Sequence, residues 1–169
     1  VADLTFRAAA TAAGSGTSIE VAKPTGTAQY DLLICQVGAA AIGGTAPTIS
    51  TLSGWTSVGT QTQSVLGGAA TIRYSWFYKI AGASEGSTYT WTTGSSVSNG
   101  AQCLCYDNPN TTSPYDTSAS GGYTGTATPT ASAITTAAAH ELIVTFFGND
   151  QAGATWTPPT GMTERTDTA

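Results

Sequence analysis

The 169-residue chain carries 5 basic against 10 acidic side chains, a net charge of −5, with 40% apolar and only 9% charged residues. That balance argues against a nucleic-acid backbone or an anionic membrane surface as partner, since both select for clustered Lys and Arg. No apolar run approaches the roughly 18 residues of a spanning helix, and the length suits one domain, 1–169, able to bury roughly 70% of its unfolded surface.

Taken in order, the chain reads as short strands separated by Gly, Pro, Ser and Thr. The first two are 3–8 (DLTFRA) and 17–22 (TSIEVA), split by a helix-tolerant Ala run that Gly14 and Gly16 cut short. Next come 31–38 (DLLICQVG) and 55–60 (WTSVGT). The clearest signal is 70–80, where Ile72, Tyr74, Trp76, Tyr78 and Ile80 alternate with Arg73, Ser75, Phe77 and Lys79. Period-2 alternation of this kind marks a half-buried strand. A second alternating run, 87–93, sets Tyr89 and Trp91 against threonines, and the AGASEG between the two runs reads as a turn. Together they predict a β-hairpin with Ile72, Tyr74, Trp76, Tyr78, Tyr89 and Trp91 on one inward face. Strands at 100–106, 131–136, 141–148 and 162–168 complete the reading, with a long irregular stretch at 108–130. Many short strands without a capped helical period predict an all-β fold, an antiparallel two-sheet β-sandwich of jelly-roll or Ig-like Greek-key type.

A weak internal two-fold repeat runs through the chain. Asp31-Leu32-Leu33-Ile34 with Gly38 parallels Glu141-Leu142-Ile143-Val144 with Gly148, and each is followed by a Pro segment and then Gly54-Trp55-Thr56 or Gly161-Met162-Thr163. The second half stops one strand after its Gly-Met-Thr, so the sandwich is expected to be completed from outside the 169 residues, either by a strand of a neighbouring copy around Asp3–Ala8 or by further chain beyond Ala169. The runs LLICQV and LIVTFF are apolar on both faces, which predicts cover on both sides of each.

The strings DLLI, GWTSVGT, RYSWFYKIAGASEGSTYTW, YDNPNTTSPYD and HELIVTFFGND with WTPPTGMTER resemble a β-sandwich domain recurrent in phage virion proteins and in bacterial surface or secreted proteins. The resemblance lies in core and turn residues and covers most of the chain. It implies a fold first, and a virion or extracellular location second. The Thr- and Ser-rich composition is in keeping with such a location.

No residue pattern announces chemistry. His140 is the sole histidine, and without an elbow motif or a second histidine it reads as a strand-start residue rather than a general base. Asp31 and Glu141 hold matching repeat positions and read as turn acceptors rather than a glycosidase pair. Asp107, Asn110 and Asp116 lack the spacing of a calcium loop and read as Asx turns. Cys35, Cys103 and Cys105 read as small buried hydrophobes, with a bridge from Cys35 to either of the others left open. No catalytic residue, cofactor or metal is therefore expected. The expected function is a non-enzymatic structural or adhesion module of a virion or surface filament, assembling through sheet edges with copies of itself or with other structural proteins. The edge residues are Asp3, Leu4, Thr5, Phe6, Met162 and Thr163. The alternative is a carbohydrate-binding module, with Tyr115, Tyr123 and Trp156 as the exposed contacts.

Overall fold

The computed structural model describes residues 3–65, 68–121, 130–139, 141–148 and 157–167. Its five strands are β1 (Thr5–Ala22), β2 (Leu32–Ile42), β3 (Thr56–Val65), β4 (Ala70–Ile80) and β5 (Thr88–Asp107). They form one antiparallel sheet in the order β1-β5-β2-β4-β3, and the described residues include no helix longer than a single turn. The all-β, antiparallel expectation is met at this level.

Two expected pairs of strands are single long ones. Residues 5–8 and 17–22 belong to β1, because the Ala8–Gly16 stretch between them pairs residue by residue with β5 as far as Val97. Alanine is a poor strand former on its own, and here the neighbouring strand overrides it. Likewise 88–93 and 100–106 lie in the two halves of β5.

Both long strands bend at one corner. There the register jumps from Gly16↔Val97 to Ser18↔Thr92, so β5 carries several more residues through the bend than β1. Such an excursion re-aims a strand. Gly94, with φ 63°, takes a left-handed conformation in the excursion. Asn99 Nδ2 donates to the carbonyls of Gly16, Ser18 and Val97, and Thr93 Oγ1 donates to those of Gly16 and Ser95. Asn99 and Thr93 are themselves buried, so carbonyls freed by the broken ladder find donors inside the protein.

The bend lays the ribbon 18–22/88–92 over one face of the sheet. Ile19, Val21, Tyr89 and Trp91 from the ribbon pack with Leu33, Cys35, Val37, Phe77, Ala101, Cys103 and Cys105 from the sheet, and Trp55 closes one end. Trp91 sits 5.2 Å from Trp55 and 5.7 Å from Phe77, centroid to centroid. The loop after β2 runs beside the ribbon, where Ser50 N donates to Thr92 O, and it adds Ile49 and Leu52 to this core.

A second, smaller core lies on the opposite face. Leu32, Leu104 and Tyr106 meet Phe6, Ile34, Tyr78 and Ile80, with Val144 and Phe146 laid over them. β2 is thus covered on both sides, as its two-sided apolar run predicts. The 141–148 segment is not: Leu142 and Ile143 are 45% and 48% exposed.

The predicted hairpin does not form. β4 pairs with β2 and β3, while β5 pairs with β1 and β2, so β2 stands between the two aromatic strands. Their aromatic rows also face opposite ways. Phe77 shares the large core with Tyr89 and Trp91, whereas Tyr78 and Ile80 belong to the small one. Alternation reveals that a strand has two unlike faces, but says nothing of which neighbour it takes.

The segments 131–136, 141–148 and 162–167, expected as strands, are not strands. Both sides of β2 are already taken by β4 and β5, and Val144 and Phe146 cover the sheet's face rather than extend its edge. The repeat has a different physical trace. A Cβ on Gly38 would lie 2.8 Å from the Tyr74 ring, and one on Gly148 would meet the same ring. Two equivalent glycines therefore make room for one tyrosine from two sides.

Candidate functional site: two sheet edges and an ionic end

The strand order leaves β1 and β3 as the edges of the sheet among the described residues. From Ala8 to Ile19 the β1 edge bears no charge and no proline, and Ala8–Gly16 follows a regular register between two irregularities. Thr11, Ala13, Gly14 and Ser15 are exposed along it. β3 is uncharged too, but shorter, and a register shift between Ser57 and Gly59 kinks it. Edge strands are normally blunted by charges, prolines or bulges. Over nine residues, β1 has none of these devices.

The expected edge residues fall in three places. Thr5 and Phe6 are in β1, and the Phe6 ring turns inward to meet Tyr106 edge-on at 5.6 Å. Asp3 and Leu4 precede the strand and border a shallow cleft of about 200 Å³ with Glu141 and Leu142. Met162 and Thr163 belong to no strand: Met162 accepts a long contact from Thr145 Oγ1 at 3.9 Å, and Arg165 lies 4.6 Å over the Phe6 ring. Of the expected glycan contacts, Tyr115 stacks on Tyr78 at 5.9 Å and bonds Ser118 through its hydroxyl. One face of its ring is therefore covered from within. Tyr123 and Trp156 lie outside the described residues, as does His140.

Beside the start of β1, three strand ends meet in an ion cluster that sequence reading missed. The register shift between Phe6 and Ala8 frees Arg7 from the alternation. Its Nε lies 2.9 Å from Asp31 Oδ2, and its Nη2 lies 3.2 Å from Asp31 Oδ1 and 3.4 Å from Asp107 Oδ2. Asp31 is 3% exposed and also accepts the Ala28 N–H at 2.7 Å and the Cys105 thiol at 3.4 Å. The turn role expected for Asp31 is present in the Ala28 bond, and half of its contacts are to Arg7. No short-range pattern links positions 7, 31 and 107, so only the pairing of β1, β5 and β2 brings them together. Asn110 accepts from Thr112 N and Ser113 N, an Asx turn as expected, while Asp116 accepts from Ala137 N. Glu141 lies beside Asp116, and burial together with that like charge raises its pKa.

A second knot fixes the β4–β5 connection. Glu85 receives Lys79 Nζ at 2.9 Å, the Gly82 N–H at 2.7 Å and the Tyr89 hydroxyl at 3.0 Å. Burial alone would raise the Glu85 pKa, but these three donors outweigh it and hold it below the ordinary value. Lys79 lies 5.9 Å from both the Trp55 and Tyr89 rings, so the pair ties the turn to the large core.

All three cysteines are buried and unbridged. Burial pushes the Cys35 thiol well above its usual value, with the facing Cys103 adding to the shift, and pushes Cys105 up to about 11. A raised folded-state pKa leaves stability intact below the unfolded value of 9.0 and erodes it as pH climbs toward the folded value. For Cys105 alone this amounts to about 1.4 kcal/mol per pH unit in that window. Urea unfolding at about pH 8 and about pH 10.5 should therefore differ, and the Cys105→Ala variant should show the smaller difference. A pH-independent midpoint would contradict the burial of these thiols.

No protein-family model, curated protein or solved structure matches the chain. Among the described residues the fold is a single antiparallel, all-β sheet with an unguarded edge strand.

Proposed function

We propose that the protein is a non-enzymatic structural or adhesion module of a virion or extracellular filament, and that it assembles through its sheet edges. The observation that carries this reading is the uncharged, regular β1 edge between Ala8 and Gly16. The partner is a second copy of the chain. All neighbouring strands are antiparallel, so in a five-strand sheet β1 and β3 run the same way. Stacking copies by translation would join β3 to β1 in parallel. A two-fold axis beside β1 joins β1 to β1 antiparallel, the slightly stronger pairing and the usual symmetry of homodimers. Nine residues at about 3.4 Å each give a ladder of about 30 Å. Exposed Leu142, in the cleft that Leu4 borders near the start of the strand, adds apolar surface close by.

The sandwich expected from sequence fits this picture as its finer form. The ribbon of β1 and β5 folded over the sheet is the second layer on one face, and strands added at the edges extend the layers into an assembly. A location on a virion or outside the cell suits the threonine- and serine-rich surface.

The test places charge on the edge. Thr11 and Ala13 are exposed on β1, and the Thr11→Lys/Ala13→Lys variant would set lysines against their own copies across a two-fold axis. Light scattering should find a dimer or larger species for the unaltered chain and a folded monomer for the variant. An assembly unchanged by the two lysines would remove β1 as the interface.

A further inference from the structure

We propose that the ionic end of the sheet is a binding site for a neutral saccharide, with Tyr30 as its platform. The site's residues lie outside the Ala8–Gly16 edge, so either reading can fail without the other. A cleft of about 280 Å³ opens where β1 and β2 begin and β5 ends, lined by Arg7, Tyr30, Asp31, Asp107 and Asn108 among others. Tyr30 is 61% exposed, the most exposed aromatic among the described residues outside the strands.

Its backbone holds it there at a cost. Tyr30 has φ 72° and Asn108 has φ 55°, the two non-glycine residues in the left-handed region among the described residues. Both line this one cleft. A β-sheet end can be closed with glycine at such positions, and a large aromatic there is strained by about 1 kcal/mol or more. The surroundings over-determine the strain: Tyr30 N donates to Ala81 O at 2.9 Å, Ala81 N to Asp31 O at 2.8 Å, and Asp31 N to Ala28 O at 3.2 Å. The ring is held out toward solvent by a rigid turn, not left there by a loose one.

The charges select the ligand class. Arg7 against Asp31 and Asp107 leaves the cleft one charge negative, which disfavours anions. A cation meets carboxylates that Arg7 already engages, and meets Arg7 itself. What the pair still offers is the remaining carboxylate lone pairs and guanidinium N–H groups, acceptors and donors side by side. Adjacent hydroxyls of a sugar ring use both at once, one donating to Asp107 and the next accepting from Arg7. The apolar face of the same ring covers a flat aromatic, as Tyr30 provides. A shallow, solvent-open site of this size predicts weak binding, with Kd of about 1 mM or somewhat tighter.

The experiment titrates the whole chain, followed by calorimetry and ligand-observed NMR, with maltotetraose, mannotetraose, galactotetraose and chitotetraose. Tetramethylammonium chloride and inorganic phosphate serve as charged probes. We expect saturable binding of at least one oligosaccharide and of neither ion. Tyr30→Gly removes the ring while accepting the backbone angle, and should weaken binding at least about tenfold without lowering the melting temperature. Tyr30→Phe keeps the ring and should retain binding. Absence of binding by all four sugars, binding indifferent to Tyr30→Gly, binding abolished by Tyr115→Ala instead, or binding of tetramethylammonium alone would each overturn the proposal.

Discussion

Replacing Trp91 by alanine should destabilise the protein by about 3–5 kcal/mol, the range for a large aromatic removed from a closed core. Trp91 is completely buried, and it joins the folded-over ribbon to the sheet through Trp55 and Phe77. Loss of its ring leaves a cavity between the folded-over ribbon and the sheet. Against a total stability of roughly 5–15 kcal/mol, such a loss is large. Its buried Nε1 has no hydrogen-bond partner among the described residues, so Trp91→Phe forfeits volume but no bond and should cost well under half as much. Trp76→Ala is the control. Trp76 is only half-buried on the opposite face, and its loss should cost roughly 1–2 kcal/mol. Denaturant unfolding of the three variants checks the order, and a Trp76 effect as large as that of Trp91 would mean the faces are reversed.

The second large effect is at Asp31. Its carboxylate is almost fully buried and accepts from Arg7, the Ala28 N–H and the Cys105 thiol. Asp31→Ala strands these donors at the junction of three strands and should cost about 3 kcal/mol, at the lower end for a broken buried pair because Arg7 retains some water. Arg7→Leu/Asp31→Leu should cost less than the sum of the single replacements, since the double variant leaves neither charge alone. A thermal-melt double-mutant cycle measures this. Strict additivity would show that Arg7 and Asp31 do not act on each other.

The contrast between these two residues explains how far the sequence is legible. Trp91 stands out by local alternation, and its burial follows from that pattern. Its neighbour does not, because the choice of β2 as the strand between β4 and β5 depends on contacts far apart in the chain. The Ala8–Gly16 edge hid for the opposite reason. Small residues carry no periodic signal, so one bent strand looked like two with a gap. The apolar LIVTFF run did announce burial, yet burial against a sheet's face needs no ladder, and this segment has none. The ion cluster was invisible since Arg7, Asp31 and Asp107 are separated by 24 and 76 positions (31 − 7 and 107 − 31). Nothing in the local sequence singles out Tyr30, and only its φ and exposure set it apart.

Pairing of this sheet through the edge of β1 should show directly in the protein's mass. Multi-angle light scattering of the unaltered chain, run as a dilution series through micromolar concentrations, tests it most directly. Pairing through β1 should give a mass of twice the 17.0 kDa monomer or more, falling toward the monomer on dilution as an edge-to-edge equilibrium requires. A stable, monodisperse 17.0 kDa species at every concentration would contradict it.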